Sequence, residues 1–130
     1  MSIFYKDREK GIIEPKLFSD TAMSKADEIH EEGGNKANKR SQLRKFYDEI
    51  VRLNSIANNK NDTEQWEHIE PYVNMLIAKA AYAEAKGSVT SGFTKLIKDF
   101  VNEIKEPNDL NVFANFFEAF MGFYRKYGEN

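Results

Sequence analysis

The sequence contains no cysteine and only two histidines. Without cysteine there can be no disulfide, thiol nucleophile, zinc–thiolate site or iron–sulfur cluster, and a reducing, cytoplasmic setting is the one expected. The chain also lacks a run of about 18 apolar residues, and its first segment is charged from Lys6 onward. We therefore expect neither membrane insertion nor secretion.

Signatures of catalysis are scarce as well. Phosphate-binding loops of the Walker and dinucleotide types are absent, as are the Gly-x-Ser-x-Gly and His-Glu-x-x-His motifs. The Glu-x-x-His pattern of di-iron helical bundles is matched only by Asp27-x-x-His30 and Gln65-x-x-His68, and glutamine is a poor iron ligand. We predict a protein that is not an enzyme and has no cofactor or metal site, and we interpret the two histidines as surface residues.

Apolar residues recur at helical spacing almost throughout, and most glycines and prolines lie between the periodic segments. The spacing predicts five helices, over residues 19–32, 41–57, 62–87, 90–105 and 108–126. Ser19 is the expected cap of the first, with Phe18 as a hydrophobic staple, and Asp62 with Gln65 forms a capping box for the third. Pro71 predicts a kink or restart within the third helix.

The predicted fold is therefore an all-α, compact bundle of about five helices joined by short loops. The length of 130 residues is that of one domain with a sizeable core. Residues 1–130 are expected to form a single domain. Within it, residues 1–18 form an N-terminal arm that could be mobile, with a short strand-like segment, IFY.

Charge is unevenly distributed along the chain: residues 35–60 carry a net charge of +5 between two acidic parts. Five cations follow one another there with no acidic residue between them: Lys36, Lys39, Arg40, Arg44 and Lys45. Their position before and at a helix N-terminus favours phosphate binding. The i,i+4 spacing of Arg44, Asp48 and Arg52 is equally compatible with a solvated, ion-paired helix face.

An RNA-binding surface built on this basic segment would include the five cations and three further residues: Arg52, Lys79 and Lys86. Lys79 and Lys86 are seven residues apart and share one helix face. Since no zinc-finger spacing or RNA-recognition signature accompanies these cations, we expect contacts to the nucleic-acid backbone without sequence preference.

The fifth helix is apolar over an arc of about 220°, whereas a surface helix needs little more than about 100°. A central helix packed by neighbours on two sides explains this width. Alternatively, one edge of the helix, made of Phe116, Phe123 and Tyr127, is a subunit interface, since aromatic residues are enriched there.

Three blocks of the sequence resemble the small subunit of type III-A CRISPR effector complexes. They are residues 42–52 (QLRKFYDEIVR), 79–86 (KAAYAEAK) and 116–127 (FFEAFMGFYRKY). One position departs from the family pattern, because Ala85-Lys86 stands where a Gly-Arg pair is expected. Lysine keeps the charge but loses the planar fork that binds phosphate bidentately.

The resemblance implies a small helical protein without an active site of its own, which acts in antiviral defence. Copies of it would stack along the complex, contacting the backbone and large subunits and helping to hold target RNA paired to guide RNA. RNA cleavage would belong to the backbone subunit, and polymerase and DNase activity to the large subunit. The alternative that the residues leave open is a stand-alone helical DNA-binding regulator, because helix-turn-helix motifs need only short turns.

Overall fold

The computed structural model describes residues 2–59 and 65–128, and over these ranges it is an all-α bundle, as predicted. The helices are α1 Ala22–Gly33, α2 Arg40–Ala57, α3 Gln65–Ala85, α4 Ser91–Val101 and α5 Pro107–Tyr124. A short antiparallel pair, β1 Tyr5–Asp7 and β2 Ile12–Ile13, precedes them. A π-helical turn, Leu17–Thr21, leads into α1, and a 3₁₀ turn, Arg125–Tyr127, extends α5.

Helix α5 is the centre of the bundle and packs against both α1 and α2. Its aromatic residues explain this position, because Phe113, Phe116, Phe117 and Phe120 are all fully buried. The ring of Phe116 lies 4.5 Å from that of Phe100 on α4. The wide apolar arc of α5 is therefore the surface of a central helix.

Two helix ends differ from the predictions. The expected Ser19 cap and Phe18 staple are wrong: the chain already coils from Leu17, which is buried, and Phe18 is exposed. Helix α4 ends at Val101 rather than 105, because i→i−3 hydrogen bonds from the N–H groups of Glu103 and Ile104 tighten the chain into a turn. That turn buries Ile104.

Helix α3 runs without a break through Pro71, so the predicted restart at this residue is wrong. Pro71 is exposed, and its ring therefore lies on the outer face of the helix, away from the core. The proposed Asp62 cap lies outside the described residues. Gly87, at a φ of 82°, follows the helix in the left-handed conformation that glycine adopts without strain.

The N-terminal arm is folded onto the bundle. Phe4 is fully buried, with its ring 5.7 Å from Phe100 and 6.4 Å from Phe113. Tyr5 and Arg8 both bind the buried carboxylate of Asp109 at the start of α5, at 2.8 and 3.0 Å. The arm thus covers one end of the core.

Candidate nucleic-acid interface

The basic loop that leads into α2 is held in place by Asn38, which is buried and has a φ of 57°. Its side-chain amide donates to the carbonyl of Ile29 and to Thr90 Oγ1, at 2.9 and 2.8 Å. Its Oδ1 accepts from the Thr90 N–H at 3.0 Å, and its carbonyl accepts from the Tyr124 hydroxyl. Asn38 therefore joins the α1–α2 loop to the start of α4 and the end of α5.

Sequence reasoning missed Asn38. The signal available was an asparagine between Gly33-Gly34 and the start of the second helix, since asparagine tolerates the left-handed conformation better than most residues. Nothing in the local pattern showed that its side chain would be buried.

A groove of about 310 Å³ runs between α2 and α3. Three of the predicted RNA-binding lysines line it: Lys45 from α2, Lys79 from α3 and Lys86 from the turn directly after α3. The remaining lining residues are Gln42, Phe46, Glu49, Leu76, Tyr82 and Ala83. We call this the α2–α3 groove, and it brings together cations that lie more than thirty residues apart in the sequence.

At one end of the α2–α3 groove a carboxylate is paired with the cations. Glu49 accepts from Arg52 at 2.8 and 2.9 Å and from Lys79 at 3.3 Å, and the hydrogen bond from Arg52 is the main reason that the pKa of Glu49 is lowered. Arg52 therefore pairs with Glu49 rather than with Asp48, the partner suggested by the i,i+4 spacing. Among the described residues, Lys45 and Lys86 have no carboxylate partner within ion-pair distance.

The cations at the start of α2 lie elsewhere. Arg40 and Arg44 line a smaller cleft of about 170 Å³ between α2 and α5, together with Arg125. In the same cleft, burial and the nearby carboxylate of Glu118 raise the pKa of Tyr47. Arg44 and Lys45 are adjacent in sequence but line clefts on different sides of α2. Arg125 was not among the predicted cations.

Lys36 and Lys39 are exposed on the loop before α2 and line neither cleft. Lys39 lies instead at a depression that it shares with His30 and Tyr127. The structure thus places six of the eight predicted cations on three surfaces, whereas Lys36 and Arg52 line none of the three. The α2–α3 groove is the one to which two helices contribute predicted cations.

His30 lies at the surface only in part. Its ring is half-buried and stacks on Tyr127 at 3.6 Å with an interplanar angle of 6°. The Tyr127 hydroxyl donates to Asp27, which also binds Lys126 at 3.0 Å. Together these contacts hold the 3₁₀ turn after α5 against α1. No group of three or more metal-ligating side chains forms within residues 2–59 and 65–128.

The predicted interface edge of α5 is corrected at Phe116. This residue is fully buried within the monomer and cannot also contact another subunit. Phe123 and Tyr127 are half-buried and retain some exposed surface. None of the helices in the described part of the chain is long and apolar enough to cross a membrane.

Comparison with known proteins identifies a family. A family model described as Csm2 Type III-A matches residues 17–130, which is nearly the whole chain and includes every helix described above. No curated protein and no solved structure matches.

Proposed function

Because the chain belongs to the Csm2 family of small subunits of the type III-A CRISPR complex, we propose that it is a non-catalytic subunit that contacts the sugar–phosphate backbone of RNA, without sequence preference. Its proposed ligand is the duplex of guide RNA and target RNA. Its proposed protein partners are the backbone and large subunits and further copies of itself in a stack. Family membership favours this function over a stand-alone DNA-binding regulator.

The observation that carries the RNA-binding part is the convergence of Lys45, Lys79 and Lys86 on the α2–α3 groove. Lysine ammonium groups attract phosphates as point charges and discriminate little between bases. Only Glu49 opposes them in the lining, and it is already paired with Arg52 and Lys79. The groove therefore has an excess of positive charge at the end where Lys45 and Lys86 lie.

Binding to RNA should be measured with Lys45→Glu and a matched control, Lys98→Glu, at several salt concentrations. Lys98 is exposed on α4 and lines neither cleft, so its substitution makes the same charge change elsewhere. With a single-stranded RNA as the probe, we expect Lys45→Glu to lower affinity about tenfold at low salt and to reduce the logarithmic salt slope by about 0.7, the value for one phosphate contact on a single strand. Lys98→Glu should bind like the wild type.

The variant Arg44→Glu tests the cleft on the other side of α2. If it weakens binding while Lys45→Glu does not, the RNA lies along the α2–α5 cleft instead. The proposal is wrong if neither variant differs from the wild type, both as isolated protein and in the assembled complex.

The non-catalytic role is tested by reconstitution. A complex assembled without this subunit should capture less target RNA, and the isolated subunit should cleave none. His68 is exposed, so His68→Ala is a suitable probe that leaves the fold intact. Metal-dependent cleavage that follows this subunit and is lost in His68→Ala would overturn the proposal.

A further inference from the structure

Tyr82 is the most exposed large apolar side chain among the described residues, with 66% of its surface accessible. It lies on α3 and lines the α2–α3 groove. A tyrosine that keeps two-thirds of its surface in water contributes little to the stability of the folded state, because the hydrophobic contribution scales with the area removed from water. An exposed ring beside a cationic groove indicates that it binds a partner with an apolar face.

Lysine residues lie on both sides of Tyr82 along the chain. Lys79 is its i−3 neighbour on α3. Lys86 follows the last residue of α3, but its N–H still donates to the Tyr82 carbonyl at 3.1 Å, so it lies on the same side as the ring. The Lys86 ammonium is 4.8 Å from the ring centroid, within cation–π distance, so the ring and this charge form one unit at the rim of the groove. Lys45 faces them from α2.

We propose that Tyr82 is a stacking platform for an unpaired RNA base, whose flanking phosphates are held by Lys45 and Lys86. This inference rests on the proposed function, because it assigns the same groove to RNA, and it adds that the groove takes a base that is not paired within the guide–target duplex. Aromatic rings beside lysines are the usual combination in sites for single-stranded nucleic acid, where bases stack on the rings and cations follow the backbone.

An unpaired base is required because bases within a duplex are covered on both faces by their neighbours. A protein ring can stack only on a base at an end, in a loop or turned out of the helix. Every base has such a face, so the contact agrees with binding that lacks sequence preference. The carboxylate of Glu49 at the Lys79 end disfavours phosphate there, which directs the strand toward Lys45 and Lys86.

A protein partner would also cover an exposed tyrosine. Lysine, however, is depleted from the cores of protein interfaces, whereas here two lysines flank the ring and a third lies across the groove. The local charge therefore favours RNA as the occupant, and a protein contact is one outcome that the experiment below separates.

The test compares Tyr82→Ala with Tyr72→Ala. Tyr72 is also an exposed tyrosine of α3, at 52%, but it does not line the groove. The probes are an oligouridylate, an abasic ribose-phosphate strand of the same length, and an RNA duplex. We expect Tyr82→Ala to weaken oligouridylate binding roughly 5- to 150-fold, the range for loss of one base stack, and to change binding of the other two less than about twofold.

Tyr82→Phe should bind the oligouridylate like the wild type, because the ring and not the hydroxyl makes the contact. Tyr72→Ala should bind all three probes like the wild type. Circular dichroism and melting temperature should be unchanged in every variant, since both tyrosines are exposed.

Three results would overturn the inference. An equal loss on the abasic strand would show that Tyr82 only positions Lys86. Impaired assembly of the complex with unchanged RNA affinity would assign Tyr82 to a protein contact. If Lys45→Glu weakens RNA binding but Tyr82→Ala does not, stacking is absent and backbone binding stands. If neither has an effect, RNA does not bind in the α2–α3 groove, and Arg44→Glu then decides whether the proposed RNA-binding function fails as well.

Discussion

Asp109 shows how much a single residue can organise. It is a carboxylate with no exposed surface, at the start of α5. Arg8 binds both its oxygens at 3.0 Å, Tyr5 donates to it at 2.8 Å, and the Lys105 N–H donates at 2.9 Å. A buried charge is tolerated only when it is paired and hydrogen-bonded, and here every contact also joins the N-terminal arm or the α4–α5 turn to α5.

Replacing Asp109 by asparagine should therefore destabilise the protein. The neutral amide keeps the shape but loses the charge-assisted bond to Arg8, which is worth about 1.5–3 kcal/mol in free energy of unfolding. Urea unfolding measures the loss. Asp20→Asn is the control, because Asp20 is exposed and its pairing with Lys16 lies at the surface, so a change below about 0.5 kcal/mol is expected.

Ionisation of Tyr5 should make the stability of the protein fall as the pH rises in the alkaline range. Burial, and then the hydrogen bond donated to Asp109, raise the pKa of Tyr5 to about 12. The unfolded phenol has a pKa of about 10. Because the folded value is the higher one, the contribution of the neutral phenol is complete below pH 10 and is lost between pH 10 and pH 12.

Unfolding of the wild type and of Tyr5→Phe should thus be compared from pH 9 to 12. Phenylalanine cannot ionise, so we expect the wild type to lose stability more steeply than the variant above pH 10. All other ionisable groups are common to the two proteins. Parallel curves over this window would contradict the assignment.

Among the helices, α5 and α3 differ in how much of their apolar surface is buried. Both are largely apolar, yet α5 is enclosed by α1 and α2, whereas α3 packs on α2 and α4 and leaves an outer face in solvent. That face carries Tyr72, Met75 and Tyr82, which are all exposed. Helix α5 therefore forms the core, and α3 is the helix whose apolar residues remain available for contacts with other molecules.

Fully buried and half-buried positions on α5 predict different effects of substitution. Phe116→Ala should lower the free energy of unfolding by about 3–5 kcal/mol, because it removes a fully buried ring. Phe123→Ala should cost much less and should instead reduce recovery of the subunit with the complex. Thermal unfolding and co-purification measure the two effects, and a loss of stability at Phe123 equal to that at Phe116 would rule out an interface there.

At the scale of the whole molecule, residues outside the family match complete the core. The match begins at residue 17, yet Phe4 and Tyr5 are buried, and Phe4 packs on α4 and α5. Consequently the helices alone leave an apolar surface that the arm covers.

Deletion of residues 1–16 should lower the free energy of unfolding by at least the roughly 3–5 kcal/mol that a buried phenylalanine contributes. Phe4→Ala should reproduce most of this loss, whereas Ile12→Ala should not, because Ile12 is 46% exposed. Urea denaturation of the three variants checks the expectation. A deletion variant as stable as the wild type would show that the arm adds nothing to the core.

The sequence by itself determined the fold class and the positions of α2, α4 and α5 to within a few residues. Helix periodicity is a local property, so windows of about 11–18 residues contain the information needed to find it. The blocks at 42–52, 79–86 and 116–127 also sufficed to identify the family. The bundle and the family were therefore predictable without coordinates.

Only the tertiary structure decided which cations share a surface. Lys45 and Lys86 line one groove, while Arg44, which precedes Lys45 in the sequence, lines another cleft. Helix α2 packs between α3 and α5, so residues on its two faces contact different helices. The burial of Phe116 and the stacking of His30 on Tyr127 depend in the same way on distant segments. Such contacts are set by how the helices pack, and no local spacing in the chain specifies them.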